Sequence, residues 1–158
     1  MDRVQKDQRM KKIALAVLFI LFTGCSSATP APITTTLGTE FTLAPDQTAT
    51  ITDASLTIRL IGVGGDERCP SEIECAVSGP VSLSLSAQLG NANPTNIDLQ
   101  VFTGNDGRAP DMQFQGIKDR AEYEGYMIRV TGVLPYPVNR TNLIKDSDYR
   151  VTFVINKK

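Results

Sequence analysis

Val81-Ser-Leu-Ser-Leu-Ser-Ala-Gln-Leu89 sets Val81, Leu83, Leu85, Ala87 and Leu89 against Ser82, Ser84, Ser86 and Gln88. Successive side chains of a strand point to opposite faces, so this alternation marks a strand with one buried and one wet side. The same period of two returns at Leu56, Ile58 and Leu60, opposed by Ser55, Thr57 and Arg59, and again at Ile97, Leu99 and Val101. Tyr126, Ile128 and Val130 repeat it against Met127, Arg129 and Thr131, and Tyr149, Val151, Phe153 and Ile155 close the series. Shorter stretches at 40–43, 49–52 and 112–115 carry weaker versions.

The segments between these runs hold turn residues: Gly90-Asn91-Ala92-Asn93-Pro94, Gly104-Asn105-Asp106-Gly107 and Pro135-Tyr136-Pro137. Glycine, asparagine and aspartate tolerate positive φ, and proline has no N–H for a ladder. A helical period is absent over any long stretch after residue 25, with 117–124 the one place for a short helix. Strands with a single apolar face must bury those faces against each other. The expectation is an all-β domain, either two packed antiparallel sheets or a closed barrel, with an antiparallel β-sandwich of about seven or eight strands preferred because nothing indicates closure.

The chain has 158 residues, 41% of them hydrophobic, enough for one domain with a core. Its 16 Lys+Arg against 17 Asp+Glu leave no electrostatic footprint for nucleic acid. There is no histidine, so the commonest general base and metal ligand are both missing. Aromatics make up 6%, too few for a stacking platform for sugars or bases.

The first residues are of a different kind. Arg3, Lys6, Arg9, Lys11 and Lys12 precede the unbroken apolar run 13–22, and Met10 offers a second start. Ten apolar residues are too few to cross a hydrocarbon core of about 30 Å. The layout is that of a secretory leader. Phe22-Thr23-Gly24-Cys25 then resembles the lipobox of bacterial lipoproteins, with Thr23 and Gly24 at the small positions and Phe22 where an aliphatic residue is usual. The resemblance implies cleavage before Cys25, lipidation of Cys25, and a membrane partner reached through that lipid. An uncleaved apolar anchor is the alternative. Residues 1–24 are thus the expected leader, 25–36 (with SSATPAPITTT over 26–36) a lipidated flexible linker, and 37–158 the sandwich. Ser26 follows the cysteine, so the expected location is the outer membrane of a two-membrane cell, or otherwise the outer face of the cell membrane.

Cleavage removes five basic and two acidic side chains, leaving 11 and 15, a net charge of −4. With Cys25 carrying lipid in an oxidising compartment, Cys69 and Cys75 remain to form a disulfide. Free thiols or half a zinc site are the alternatives, and zinc would need two more ligands with no other Cys and no His to supply them. Around this pair, Asp66-Glu67-Arg68-Cys69-Pro70 and Cys75-Ala76-Val77-Ser78-Gly79 are similar to a motif of uncharacterised bacterial exported domains, usually Asp-Ser-Arg-Cys-Pro followed by Cys-x-Trp-x-Gly. Glu67 stands in for Ser and Val77 for Trp. The resemblance implies a small secreted all-β domain with a disulfide and no particular activity.

Asp66, Arg68, Pro70 and Tyr136 form a candidate binding loop, since a stapled loop can present contact residues; a plain structural staple explains them equally. Glu72, Glu74, Asp106 and Asp111 are the carboxylates that could serve as acid and base or hold calcium, but they lack the spacing of a calcium loop. No basic partner can be placed beside the serines of 81–89. Asn139-Arg140-Thr141 fits a glycosylation sequon, read as coincidence. The expectation is no catalytic residue, no metal and no cofactor. The leading reading is a non-enzymatic domain that binds an envelope protein or cell-wall component. Behind it come an accessory subunit of an envelope complex and, last, a carboxylate-dependent enzyme.

Overall fold

The structure is a computed structural model that describes residues 29–141 and 143–158. The expected leader and Cys25 lie outside the described residues. Nine strands follow in order: β1 (Ile33–Thr35), β2 (Phe41–Leu43), β3 (Thr48–Ile51), β4 (Leu56–Asp66), β5 (Val81–Leu89), β6 (Thr95–Val101), β7 (Arg120–Tyr123), β8 (Tyr126–Leu134) and β9 (Arg150–Lys157). They form a five-stranded sheet, β1-β3-β4-β5-β6, facing a four-stranded sheet, β2-β9-β8-β7. The expected all-β sandwich is the observed fold, with nine strands where the periodicity predicts seven or eight.

The alternation assigns the faces. Val81, Leu83, Leu85 and Ala87 are buried with Leu56, Ile58, Leu60, Ile97, Leu99 and Val101, and the second sheet answers with Ile128, Val130, Val151, Phe153 and Ile155. Phe153 stacks on Phe41 of its own sheet, ring centroids 5.9 Å apart.

The additional strands are short ones. Residues 117–124 hold β7 and no helix: Ala121 and Tyr123 point inward while Arg120 and Glu122 do not, which is period two. Glu124 and Gly125 both have positive φ, 47° and 81°. That is the signature of a tight two-residue hairpin turn, and it pairs Tyr123 with Tyr126. Residues 112–115 form no strand; they belong to the connection from β6 to β7, where Phe114 meets Phe102 edge-on at 5.0 Å. β1 lies inside the stretch expected as linker, because Ile33 packs against the core and the 33–35 backbone pairs with β3. This pair is parallel, since the chain leaves the first sheet to make β2 in the second and then returns to run beside β1.

Strand directions divide the loops between two ends. At the turn end are the connections 36–40, 52–55 and 90–94 and the Glu124–Gly125 hairpin, held by bonds such as Gly38 N–H to Ile155 O (2.8 Å) and Gly90 N–H to Ser55 O (2.8 Å). At the loop end are 44–47, the cysteine loop 67–80, the long connection 102–119 and the 135–149 segment. The described chain also enters there, with the Ala31 carbonyl accepting from Gln47 Nε2 at 2.7 Å.

Phe153→Ala should destabilise the domain by about 3–5 kcal/mol through lost burial and a residual cavity. Ser86→Ala, on the wet face of the same sandwich, should stay within about 0.5 kcal/mol. Urea denaturation followed by circular dichroism measures both.

Candidate functional site

The cysteine loop begins where β4 ends. Its base is zipped by Glu67 N–H to Pro80 O (3.1 Å) and Gly79 N–H to Glu67 O (2.8 Å). A side chain at Gly79 would run into the Cβ and carbonyl of Glu67, which is why glycine closes this base. Cys69 and Cys75 are joined by a disulfide, Cα atoms 5.9 Å apart. The loop then docks on the segment after β8: the Ser71 and Glu72 N–H groups donate to the carbonyls of Pro137 and Val138, both at 3.0 Å. Tyr136 Oη donates to Cys69 O at 2.8 Å, and the Leu134–Pro135 peptide between β8 and this segment is cis.

Beneath the loop lies Arg68, whose side chain has 0% exposure. An arginine has five N–H donors in a planar fork. Here Nε and one Nη2 proton go to the two oxygens of Asp66 (2.8 and 2.6 Å), and the other Nη2 proton goes to Pro135 O (2.8 Å). Nη1 donates to Val133 O (2.9 Å) and Thr103 Oγ1 (3.3 Å). The Tyr136 ring covers the guanidinium, 4.8 Å from its centroid. Asp66 is equally occupied, for it also accepts from the Arg68 N–H (3.2 Å) and from Tyr149 Oη (3.1 Å). Asp66 and Thr103 belong to the five-stranded side, whereas Val133, Pro135 and Tyr149 belong to the four-stranded side. The cluster therefore ties the two sheets together at the loop end.

Desolvation, followed by the nearby Asp66 charge and the hydrogen bond to it, pushes the Tyr149 phenol up to about 12 from its ordinary 10.0. Bidentate contact and full use of donors are what make a buried ion pair tolerable, given the cost of stripping water from both charges.

The sequence-derived site residues thus come together, but with the charges facing inward. Asp66 and Arg68 point into the fold, the Tyr136 ring covers the guanidinium, and Pro70 and Tyr136 are half-buried. The outer rim is a groove of about 420 Å³ lined by Glu67, Val77, Pro137, Asn139, Arg140 and Leu143, among others. Val77, the position at which the similar motif has Trp, is 82% exposed. The candidate carboxylates are dispersed. Asp106 caps the Arg108 N–H (3.0 Å), Asp111 pairs with Arg129 (2.7 Å), and Glu72 accepts from Asn139 Nδ2 (3.4 Å). Among the described residues, no three or more Cys, Asp or Glu gather as a metal cage. Within the sequon, Thr141 N–H and Oγ1 both donate to Asn139 Oδ1, at 3.1 and 3.0 Å.

A second surface is not anticipated by the sequence reading. On the wet face of the five-stranded sheet, a trough of about 310 Å³ runs between Gly64, Ser82, Ser84, Asp98, Gln100 and Lys118. Ser84 Oγ donates to Asp98 at 2.5 Å and Gln100 Nε2 to Ser82 Oγ at 3.3 Å. The signal for it lies in Ile61-Gly-Val-Gly-Gly-Asp66, since glycines within a strand mark bulges or places where a neighbour comes close. β4 shifts register at Leu60/Gly62 and again at Val63/Gly65, and Gly64, with no side chain, forms part of the trough's wall.

No family model, curated protein or solved structure matches this chain.

Arg68→Met leaves Asp66 buried without its partner and should cost about 3–5 kcal/mol, as should Asp66→Asn, both read by chemical denaturation. For Tyr149, the raised pKa means that the neutral phenol is the form the fold favours. Its contribution is complete below about pH 10, the unfolded value, and is lost as pH climbs through about 12. In an alkaline absorbance titration, Tyr149→Phe should delete a late phenolate step near pH 12.

Proposed function

We propose that this protein is an exported lipoprotein, held on a membrane by acyl chains on Cys25, whose β-sandwich is a non-enzymatic interaction domain for an envelope protein or cell-wall component. The observation that carries the reading is the Cys69–Cys75 disulfide. A structural disulfide fits an oxidising, extracytoplasmic compartment, and it leaves Cys25 of Phe22-Thr23-Gly24-Cys25 as the one remaining cysteine of the chain's three. Two or three acyl chains would then hold the domain far more firmly than one, at about 0.8 kcal/mol per buried methylene.

The non-enzymatic half of the proposal draws support from the Arg68 cluster. Catalysis needs a group that can exchange a proton with a substrate, and the most heavily buried charged pair at the loop end is already saturated by bonds within the fold. What the surface offers a partner is hydroxyl, amide and opposed single charges along the trough of Ser82, Ser84, Asp98, Gln100 and Lys118. Such a set suits a polar partner recognised by hydrogen bonds.

The address is tested by intact mass spectrometry of the chain purified from membranes. The expected product begins at Cys25 and carries the added mass of diacylglycerol and an amide-linked acyl group; a free thiol with residues 1–24 still attached would contradict it. Cross-linking in native membranes, with the lipidated chain as bait, should recover one stoichiometric envelope component. Asp98→Lys combined with Lys118→Glu should reduce that recovery.

A further inference from the structure

The two ends of the sandwich differ in the side chains they leave in water. Of the large hydrophobics the described residues leave exposed, Val77, Leu134, Val138 and Leu143 sit on the cysteine loop, the end of β8 or the segment after it, Met112 and Phe114 on the 102–119 connection of the same end, and Ile61 on the face of β4. Val77 and Leu143 are 82% and 83% exposed and line the same groove. The connections of the turn end hold none. Apolar side chains gathered at one place, on loops that hydrogen bonds and a disulfide hold in shape, mark a contact surface rather than random exposure.

The chain enters at this same end. Thr29 and Pro30 share a groove with Gln47, Asp146, Ser147 and Arg150, and the neighbouring Tyr149 reaches into the Arg68 cluster. Only Ser26, Ser27 and Ala28 separate Thr29 from Cys25. Four residue steps span at most about 14 Å even when fully extended. If Cys25 carries the lipid, so short a tether cannot let the domain stand far off, and it brings the loop end, not the turn end, to the bilayer.

We infer that the loop end rests on the lipid surface, with Val77, Val138 and Leu143 entering the interfacial layer beside the acyl anchor. This rests on the lipoprotein reading. The lipid class follows from the charges: Glu67 and Arg140 both line the groove beside Val77 and Leu143, and opposed charges suit zwitterionic headgroups better than an anionic surface. In this orientation the trough, which lies at the loop-end termini of β4, β5 and β6 beside Lys118, opens sideways close to the bilayer. The turn end points away.

The chain has no tryptophan, so a single introduced one reports its own surroundings. Full-length protein purified with its native amino terminus is reconstituted on phosphatidylethanolamine–phosphatidylcholine vesicles as Leu143→Trp, Val77→Trp and, from the exposed turn end, Asn91→Trp. The expected result is a shift to shorter wavelength and quenching by lipids brominated near the headgroup for Leu143→Trp and Val77→Trp, with Asn91→Trp unchanged. Flotation and intact mass on the same samples separate the two ideas. Protein that floats with an acylated Cys25, while both loop-end probes stay at the solvent wavelength and open to acrylamide, overturns the docking inference alone. Probes shielded from both acrylamide and brominated lipid also overturn it, because a protein then covers the surface. Protein that fails to float and has an unmodified Cys25 overturns the anchor reading, and the docking falls with it.

Discussion

The loop end of this sandwich depends on one guanidinium. Two β-sheets packed face to face are held in their middle by apolar contact, which is strong but has no direction. At the ends the strands stop and the backbone carbonyls of the departing loops need partners. Arg68 supplies them from the centre, bonding to the carbonyls of Val133 near the end of β8 and Pro135 just after it, and to Asp66 at the end of β4 and Thr103 after β6. A buried ion pair is weak evidence for extra stability, because desolvation offsets most of the attraction. Its effect here is geometric: it fixes where the cysteine loop and the segment after β8 sit relative to each other. The disulfide then closes the loop above it, and Tyr136 bridges the two layers by covering Arg68 and bonding Cys69 O.

That arrangement explains why an Asp-x-Arg-Cys-Pro segment need not announce a binding site. Charged residues two apart beside a staple look like a presented pair on paper. In the fold Asp66 meets Arg68 through both carboxylate oxygens, one further guanidinium proton goes to Thr103 Oγ1, and the other two reach acceptors more than sixty positions along the chain, at Val133 and Pro135. Nothing in local sequence could reveal the Val133 and Pro135 acceptors, since they are backbone carbonyls. The strands were legible for the opposite reason. Period two in 81–89 or 149–155 is imposed by burial of one face, so the pattern and its cause lie in the same few residues.

The parts that escaped reading were too short for a period to appear, or lay in an absence of side chains. β1 and β7 hold three and four residues; in β7 the alternation of Ala121 and Tyr123 spans a single repeat, and the positive φ of Glu124 and Gly125, matched to a hairpin turn, completes the explanation. The trough of Ser82, Ser84, Asp98, Gln100 and Lys118 is bordered on β4 by Gly64, within the bulge between Val63 and Gly65. Val77 and Leu143 gain meaning only once the topology shows that their loops share an end with the entry of the chain. The regions of the domain thus divide its work, the core specifying the fold, the ionic cluster shaping the loop end and the wet face remaining open for contact.

The most direct measurement of the central claim is proton exchange at the Arg68 guanidinium by nitrogen-resolved NMR at neutral pH. Buried and fully bonded side-chain protons exchange only when the region opens, whereas exposed ones exchange freely. The account requires resolved, slowly exchanging Nε and Nη protons for Arg68, against fast exchange for the exposed Arg59 and Arg140. An Arg68 signal that exchanges as quickly as those two would contradict it.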